Sequence, residues 1–345
     1  MKTAMSLAIA ASVLIAACTG EAGRLSEQRL FAMGTWVDIS VDTEDEDAQD
    51  AALKEIEAML RSFERDYYAW ADGELARVNE NIANRRAIEV SEDFAAMLGD
   101  AQRLSLQSGG VFDPAVGALV ELWGFHSDLK TSAAPPEQAS IDAWLDAAPS
   151  IAMLDIDERV VSSNTTSLKL DLGGIAKGEA VDRMIQILQG HEISNAIVNA
   201  GGDLRAIGQR SGQAWRIGIR SARTEGLIAI VELKDGEAAF TSGDYERYFE
   251  FEGQRLHHIL DPSTGHPADH TRAITVIAPN GMTADAAATA LFVAGPERWQ
   301  RIARDMGIRL VLRVDASGRI ETTAEMRERL QISDEESSDI IVVKS

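Results

Sequence analysis

Three neighbouring segments of the chain carry the clearest structural pattern: HHILDPSTGHP (257–267), AITVIAP (273–279) and MTADAAATAL (282–291). Proline and glycine in the first segment favour a turn. The second segment has the β-branched residues typical of a strand, and the alanine-rich third segment predicts a helix. A strand that leads directly into a helix indicates a sheet with helices packed against it.

The third segment also carries the first sign of chemistry. We predict Thr283 as the N-cap of its helix, because a hydroxyl there can accept a backbone hydrogen bond. Asp285 and Thr289 are four residues apart and therefore share one helical face. A carboxylate and a hydroxyl at a helix N-terminus suit a hard cation that is bound together with phosphate oxygens. Because a histidine of the 257–258 pair could act nearby as a general base, the pattern favours metal-assisted chemistry on a phosphate ester.

Strands and helices also alternate through the rest of the chain. We predict a strand over 35–41, helices over about 45–67 and from Ser91 to Ser108, a short strand ending at Asp171, a helix from Gly173 to about Leu188, strands from 195 to about Ala278, and a further helix over 296–306. We therefore expect an α+β or mixed α/β fold with one catalytic domain, residues 28–332, built from mixed sheets flanked by helices.

The two ends of the chain and one internal stretch fall outside this pattern. Residues 1–17 are predicted to be a signal peptide, because a basic residue precedes a short apolar core. Small residues before Cys18 resemble a bacterial lipobox, so we expect a lipid on Cys18 and a flexible tether over 18–27. The alternative is an ordinary signal peptide with an incidental cysteine. We expect a loose acidic tail over 333–345 and a surface excursion over 127–140.

Composition limits the partners. The chain has 345 residues, of which 45% are hydrophobic, so it can bury a large core. Its formal net charge of −22 argues against a nucleic-acid partner, because the phosphate backbone would be repelled. A polyphosphate ligand would need a local source of positive charge, such as a metal or a helix N-terminus, to offset the negative net charge of the protein. Cys18 is the single cysteine, which excludes a disulfide within the chain.

Three further blocks leave both a functional and a structural interpretation open. In LDLGGIAKGEAVD (170–182), the glycines and the helix start could hold an anion, but the spacing fits neither a P-loop nor GxGxxG, and simple packing is the alternative. In SGGVFDPAVG (108–117), Asp113 either contacts a ligand or caps a buried turn. In AGGD (200–203), close backbone passage is favoured. The absence of HExxH and of a His/Cys cluster disfavours zinc.

Together these blocks resemble the ApbE-like FAD:protein FMN transferases. The resemblance runs from Met33 to about Val293 and rests on an ordered set of motifs: SGGVFDPAVG, LDLGGIAKGEAVD, NAGGD, TSGDYERYF, HHILDPSTGHP and ADAAATAL. It implies a fold related to the T-fold. It also implies a Mg²⁺-dependent transfer of FMN from FAD to a threonine or serine hydroxyl of a target protein, with release of AMP.

The resemblance implies roles for individual residues as well. Asp285, Thr289 and the main-chain carbonyl of Ala176 would bind Mg²⁺, and His258 would be the catalytic base. The residues that would line the FAD site are Met33, Trp70, Val111, Phe112, Asp113, Gly173, Lys177, Glu179 and Ile259. Trp70 stands where the family has a tyrosine-containing motif.

The implied partners are FAD and a flavoprotein subunit of a membrane electron-transfer complex. The implied location is the bacterial periplasm, with a lipid anchor in the inner or outer membrane. Two other functions stay open, an FAD pyrophosphatase that yields FMN and AMP, and a non-catalytic flavin-binding lipoprotein. The family's acceptor pattern is Asp-x-x-Ser/Thr-small-Ala-Thr, and here Ala288 stands at its acceptor position. We therefore expect this chain to be the modifier.

Overall fold

The structure is a computed structural model that describes residues 25–126, 134–222, 226–332 and 340–343. Its strands are β1 (Leu25–Ala32), β2 (Thr35–Asp42), β3 (Ile88–Glu89), β4 (Leu154–Asp157), β5 (Val160–Ser163), β6 (Ala196–Ala200), β7 (Asp203–Ile207), β8 (Trp215–Arg220), β9 (Leu227–Leu233), β10 (Ala238–Gly243), β11 (Tyr248–Phe251), β12 (Gln254–His257), β13 (Thr271–Ala278), β14 (Leu310–Asp315), β15 (Ile320–Thr323), β16 (Leu330–Ile332) and β17 (Ile340–Val343). Its helices are α1 (Glu46–Tyr67), α2 (Glu74–Ala83), α3 (Glu92–Gln107), α4 (Gly117–Leu122), α5 (Gln138–Ala147), α6 (Ala176–Gly190), α7 (Gly281–Asp305) and α8 (Ala324–Arg329).

A nine-stranded sheet organises these elements, in the order β1-β2-β6-β7-β10-β13-β14-β15-β17. Its neighbours pair antiparallel except β15 and β17, which are parallel. Strand β2 shows why the sheet has two distinct faces. Val37, Ile39 and Val41 are buried, while the residues between them are less so, as the twofold alternation of a strand requires. The sheet, with helices on it, confirms the mixed α/β fold class expected from the sequence.

Helices α1, α6 and α7 form a layer over one face of this sheet. Helix α1 is amphipathic, and its buried residues recur at helical spacing: Ala52, Ile56, Leu60, Phe63 and Tyr67. Asp45 caps its start by accepting a hydrogen bond from the Ala48 N–H. Helix α7 breaks at Gly295, which has a positive φ of 65° and precedes Pro296. Helices α1, α3, α6 and the second part of α7 confirm in outline the helices predicted at 45–67, 91–108, 173–188 and 296–306.

A smaller sheet, in the order β16-β9-β8, packs on the opposite face. Leu204 of β7, Ile277 of β13 and Leu312 of β14 share a second core with Val231 of β9. This sheet covers the central strands of the large sheet. It leaves part of β1 and β2 open, where Phe31 and Trp36 are exposed.

A third, smaller core joins α4 and α5 to the β11–β12 hairpin through Leu119, Trp123, Ile141, Trp144, Phe249 and Leu260. It supports the predicted 257–267 turn. Gly265 in that turn has a φ of +73°, and a Cβ there would lie 2.4 Å from Ile141. The Trp123 indole N–H donates to the Gly265 carbonyl at 2.8 Å.

Several sequence-based predictions are wrong in detail. The N-cap of α7 is Asn280, whose side chain accepts from the Thr283 N–H, and not Thr283 itself. The expected strand before Asp171 is only a bridge between Val116 and Lys169. Helix α2 was not predicted at all, although Leu75, Val78 and Ile82 give it a buried face.

The predicted chain ends also need correction where they are described. Residues 25–27 belong to β1 and not to a flexible tether, and 340–343 form β17 within the proposed loose tail. Part of the 127–140 excursion belongs to α5, which begins at Gln138. The predicted signal peptide, Cys18 and residues 333–339 lie outside the described residues. Within the described ranges, no helix combines the length and apolar character needed to cross a bilayer.

Candidate active site

A single continuous cavity of about 2570 Å³ opens at one end of the large sheet. The β1–β2 turn at Met33–Gly34 and the β6–β7 turn at Gly201–Gly202 line it, together with the start of α6. Met33 has a φ of +54°, and its N–H donates to Glu64 at 2.7 Å, which fixes the first turn against α1. Most of the predicted site residues lie on the walls of this cavity.

The first wall is made by the close contact of α6 with α7. A Cβ added at Gly178 would lie 2.3 Å from the Gly281 carbonyl oxygen, so only glycine permits this approach. Asp182 then accepts hydrogen bonds from the N–H groups of Gly281 (2.7 Å) and Met282 (3.0 Å). Arg205 pairs with Asp182 at 2.8 Å. The GEAVD part of the 170–182 block therefore joins the two helices.

This contact places Asp285 over the N-terminus of α6. One of its carboxylate oxygens accepts from the Gly178 N–H at 2.9 Å, and the residue lines the cavity. Thr289 lies one turn further on the same wall, where a Cβ added at Gly174 would be 3.1 Å from its hydroxyl oxygen. Ala176, the first residue of α6, lines the cavity as well. The three predicted metal ligands are thus brought together.

Charged side chains lie around the wall formed by α6 and α7. Lys177 forms an ion pair with Asp203 at 2.7 Å, and Asp203 also accepts from the Thr241 N–H at 2.8 Å. Burial opposes the charge of Lys177, but the nearby carboxylates of Asp203, Glu246 and Asp285 outweigh burial and raise its pKa. Burial and then the Asp203 charge raise the pKa of Asp285. The cluster holds more carboxylates than cations and therefore favours an added cation.

The second wall is the segment from Leu170 to Gly174. Asn79 of α2 pairs with Leu170 like a neighbouring strand, because its side chain donates to the Leu170 carbonyl (2.9 Å) and accepts from the Leu170 N–H (2.7 Å). Asp171 accepts from the Gly173 N–H at 2.8 Å. Trp70 lies beside this segment, and the ammonium of Lys169 is 4.2 Å from its ring centroid.

The two adjacent histidines have different environments. His257 is buried, contacts the ring of Phe292, and has its Nε2 2.7 Å from the Ala268 carbonyl. His258 lines the cavity, and its Nδ1 is 3.2 Å from the Arg247 carbonyl. A proton on Nδ1 would be donated to that carbonyl, which leaves Nε2 as the proton acceptor. Burial, followed by the charge of Arg247, lowers the pKa of His258 to about 3, so the imidazole is neutral.

Most of the remaining predicted FAD-site residues line the cavity, while Asp113 and Glu179 make other contacts. Met33, Trp70, Val111, Phe112, Gly173 and Ile259 line the cavity. Asp113 also lies at its wall, but its carboxylate accepts from Ala115 N–H, Ile151 N–H and the Ser150 hydroxyl, as a turn-capping residue does.

Glu179 is not among the residues that line the cavity, and its predicted place in the FAD site stays a prediction. Its carboxylate pairs with Arg183 at 2.6 Å, and Arg183 also donates to the Tyr67 hydroxyl at 2.7 Å. Lys177 and Glu179 are two residues apart on a helix, so their side chains point in nearly opposite directions. Lys177 lines the cavity, whereas the Glu179 carboxylate is directed toward Arg183.

The sequence reasoning assigned no role to the 241–249 block, although Tyr245, Glu246 and Arg247 line the cavity beside Lys177 and His258. Burial, then the Glu246 charge, raises the pKa of Tyr245 to about 12. Burial likewise raises the pKa of Glu246, against the attraction of Lys177. The sequence feature that could have indicated these cavity-lining residues is the TSGDYERYF motif, in which charged residues follow a buried strand.

Comparison with known proteins shows the family to which the chain belongs. Residues 33–312 match the ApbE family. The FAD:protein FMN transferase of Rhodobacter capsulatus is 40% identical over 333 residues, which cover 94% of this chain and 62% of that relative. This chain therefore spans less than two thirds of that protein's length. The FAD:protein FMN transferase of Haemophilus influenzae is 35% identical over 275 residues, covering 77% of this chain and 78% of the relative.

Solved structures of ApbE proteins have the same fold as this chain. The ApbE protein of Thermotoga maritima superposes with a TM-score of 0.82 at 34% identity, over 89% of this chain and 99% of the other. The apo form of the flavinyl transferase ApbE from Pseudomonas stutzeri gives a TM-score of 0.79 at 30% identity, over 90% and 98%. On the extent of the sequence match and the shared fold, the chain belongs to the ApbE family.

Proposed function

We propose that this chain transfers FMN from FAD to a serine or threonine hydroxyl of an acceptor protein. The hydroxyl oxygen attacks the phosphorus on the FMN side of the FAD pyrophosphate. A new P–O bond joins FMN to the acceptor, the P–O bond to AMP breaks, and AMP leaves with the electron pair. The hydroxyl proton passes to a base. The observation that supports this best is the placement of Asp285, Lys177 and His258 around one cavity.

The metal-binding part of the proposal rests on oxygen chemistry. The described residues contain no cluster of three or more His, Cys, Asp or Glu side chains that could hold a metal. Asp285, Thr289 and the Ala176 carbonyl instead offer the hard oxygen ligands that Mg²⁺ prefers. The glycine at 174 leaves the space beside the Thr289 hydroxyl open. Bound there, Mg²⁺ would offset the negative charge that develops on the phosphate oxygens.

The protein groups supply the rest of the chemistry. The ammonium group of Lys177, which lines the cavity, stabilises anionic oxygens. His258 Nε2 accepts the proton of the attacking hydroxyl, because its other nitrogen faces the Arg247 carbonyl. Trp70 and Phe112 provide aromatic surface on the walls that hold FAD.

One incubation separates this function from the two alternatives. The purified full chain is mixed with FAD, Mg²⁺ and a synthetic peptide that contains the family's acceptor pattern, and the products are measured by mass spectrometry. FMN on the peptide, with AMP in equal amount, supports transfer. Free FMN with AMP and an unmodified peptide indicates an FAD pyrophosphatase. Bound FAD that stays intact indicates a flavin-binding protein.

We also propose that the natural acceptor is a flavoprotein subunit of a membrane electron-transfer complex, and that this chain works in the bacterial periplasm on a lipid anchor at Cys18. Support comes from the lipobox-like sequence before Cys18. A Cys18→Ser variant should lose the lipid and leave the membrane fraction. Unchanged fractionation of that variant, with no lipid on the wild-type mature N-terminus, would refute the anchor.

A further inference from the structure

The cavity is larger than one nucleotide cofactor requires. Small-molecule sites measure roughly 300–1,000 Å³, whereas this cavity measures about 2570 Å³. The remainder lies on the face of the large sheet opposite α6 and α7. Val37 and Ile39 are buried on the helix side, so the alternate residues Asp38 and Ser40 face away from the helices. Both of these line the cavity.

One wall of this remainder is the free edge of β8. Every residue from 213 to 220 lines the cavity. Because successive side chains of a strand point to opposite faces, a cavity that contacts all of them follows the edge of the strand. Strand β8 stands at the end of its sheet and pairs only with β9 among the described strands. Half of its backbone N–H and C=O groups therefore face the cavity.

We call this space the edge groove, with Asp38, Ser40, Ile197 and Asn199 as its floor and residues 213–220 as its wall. The floor ends at an exposed aromatic pair on β1 and β2. Phe31 is 64% exposed and Trp36 52% exposed, and their ring centroids are 5.2 Å apart. Exposed aromatic residues beside a groove are typical of protein-docking surfaces.

The charge of the edge groove differs from that of the whole molecule. Arg216 and Arg220 lie on its wall, and its one carboxylate, Asp38, is already paired with Arg29 of β1. The chain as a whole carries a formal charge of −22. The groove is thus a locally basic strip on an acidic protein, which favours a neutral or acidic partner segment.

We propose that the edge groove binds an extended segment of the acceptor protein, which adds to β8 as a further strand. The proposal rests on the function proposed above and assigns the acceptor's binding surface. Backbone pairing along β8, about 20 Å long for a strand of this length, would hold the segment in register. Phe31 and Trp36 would contact its apolar side chains. The groove continues past Asn199, Gly201 and Gly202 to Lys177, so the segment can carry its hydroxyl to the phosphate end of the cavity.

The test compares two groove variants with two matched variants elsewhere. Trp36→Ala removes an exposed aromatic, and Leu106→Ala removes an exposed apolar side chain (82% exposed) on α3. Arg216→Glu reverses a groove charge, and Arg61→Glu reverses an exposed charge on α1. For each protein we would measure the KM for the acceptor-pattern peptide, the kcat, and the Kd for FAD by fluorescence.

Both groove variants should raise the KM for the peptide by about tenfold, or about 1.4 kcal/mol, and should keep the wild-type Kd for FAD. The two control variants should keep the wild-type values of both constants. A KM that rises equally in the controls, or does not rise in the groove variants, overturns the groove assignment. If the wild-type protein labels no peptide, the proposed transfer function is refuted instead. The groove assignment and the proposed function therefore fail in different ways.

A photo-crosslinker at position 217 identifies the occupant directly. With the acceptor-pattern peptide and FAD present, the crosslinked product should contain that peptide. Crosslinks that reach only the chain's own N-terminal residues, or only a second copy of the chain, would show another occupant and reject the proposal.

Discussion

At the scale of single residues, Asp285 is the side chain whose charge matters most to the proposed chemistry. Its pKa is raised by burial and by Asp203, so the ionised carboxylate is disfavoured in the folded protein. Asparagine would keep an oxygen to accept the Gly178 N–H and would remove the charge. The same substitution should therefore separate the contribution to catalysis from the contribution to folding.

We expect Asp285→Asn to lose transfer by at least about a hundredfold, the range seen when one electrostatic stabiliser is removed, and to keep or raise its thermal midpoint in metal-free buffer. Transfer assays and calorimetry measure the two effects. Thr289→Val serves as the milder comparison, because a neutral hydroxyl binds a cation less strongly than a carboxylate. Activity of Asp285→Asn near the wild-type level would exclude Asp285 as a metal ligand.

The histidine pair gives a prediction about pH. A base must be neutral, and the pKa of His258 is lowered from its ordinary value of 6.5 to about 3. The neutral form therefore persists as the pH falls through 6–7, and kcat/KM for FAD should stay level there and fall only well below. A rate that falls through pH 6–7 would contradict the lowered pKa of His258.

Alanine variants separate the two histidines. His258→Ala should lose roughly 10²–10⁴ in kcat, as general bases do, with its affinity for FAD retained. His257→Ala should chiefly lower thermal stability, because the ring is buried against Phe292 and pairs with the Ala268 carbonyl. Both folded-state pKa values are lowered, so both residues reduce stability as the pH falls below the unfolded value of 6.5. Equal kinetic losses in the two variants would refute the assignment of the base.

At the scale of secondary-structure elements, the site depends on the contact between α6 and α7. Gly178→Ala would put a methyl group 2.3 Å from the Gly281 carbonyl, so α7 would have to move and carry Asp285 with it. We expect a loss of about 1–3 kcal/mol in the free energy of unfolding and a larger loss of transfer. Gly190→Ala, at the other end of α6, is the matched control, since a Cβ there has no neighbour within 4 Å. Denaturant unfolding and transfer assays should separate the two variants.

The elements also show how far the sequence could predict the structure. Helices α1 and α3 follow from capping residues and spaced apolar positions, so their bounds were predictable within about two residues. Helix α2 was missed, because its few apolar residues are set among charged ones. Thr283 was chosen as N-cap by residue type, yet Asn280 has that role because Asp182 holds the N–H groups of Gly281 and Met282. A partner about a hundred residues away cannot be deduced from local pattern.

The same limit applies to the site. Motif order predicted which segments meet, and Asp285, Thr289, Lys177 and His258 do meet at one cavity. Side-chain direction was less predictable, as Glu179 shows by facing Arg183. The edge groove had no sequence signal, because it arises from the way two sheets pack and not from any one segment.

At the scale of the whole molecule, net charge should govern the approach of FAD. The protein carries −22 and the pyrophosphate of FAD is anionic, so long-range forces oppose the encounter. Added KCl screens such forces over about 8–10 Å at 0.10–0.15 M. With Mg²⁺ held constant, the association rate of FAD measured by stopped-flow fluorescence should rise with KCl. A rate that falls with salt would show that local cations such as Lys177 dominate the field at the mouth.

The Gly178–Asp285 hydrogen bond joins residues 107 positions apart in the sequence. Closing so long a loop costs entropy that is recovered only when the intervening strands have also paired, so we expect this contact to form late in folding. During synthesis, a chain that ends before Asp285 has the α6 half of the site without the α7 half. If the proposed function is correct, a partly folded chain would lack a competent site for FAD, and FAD binding would report the completion of folding.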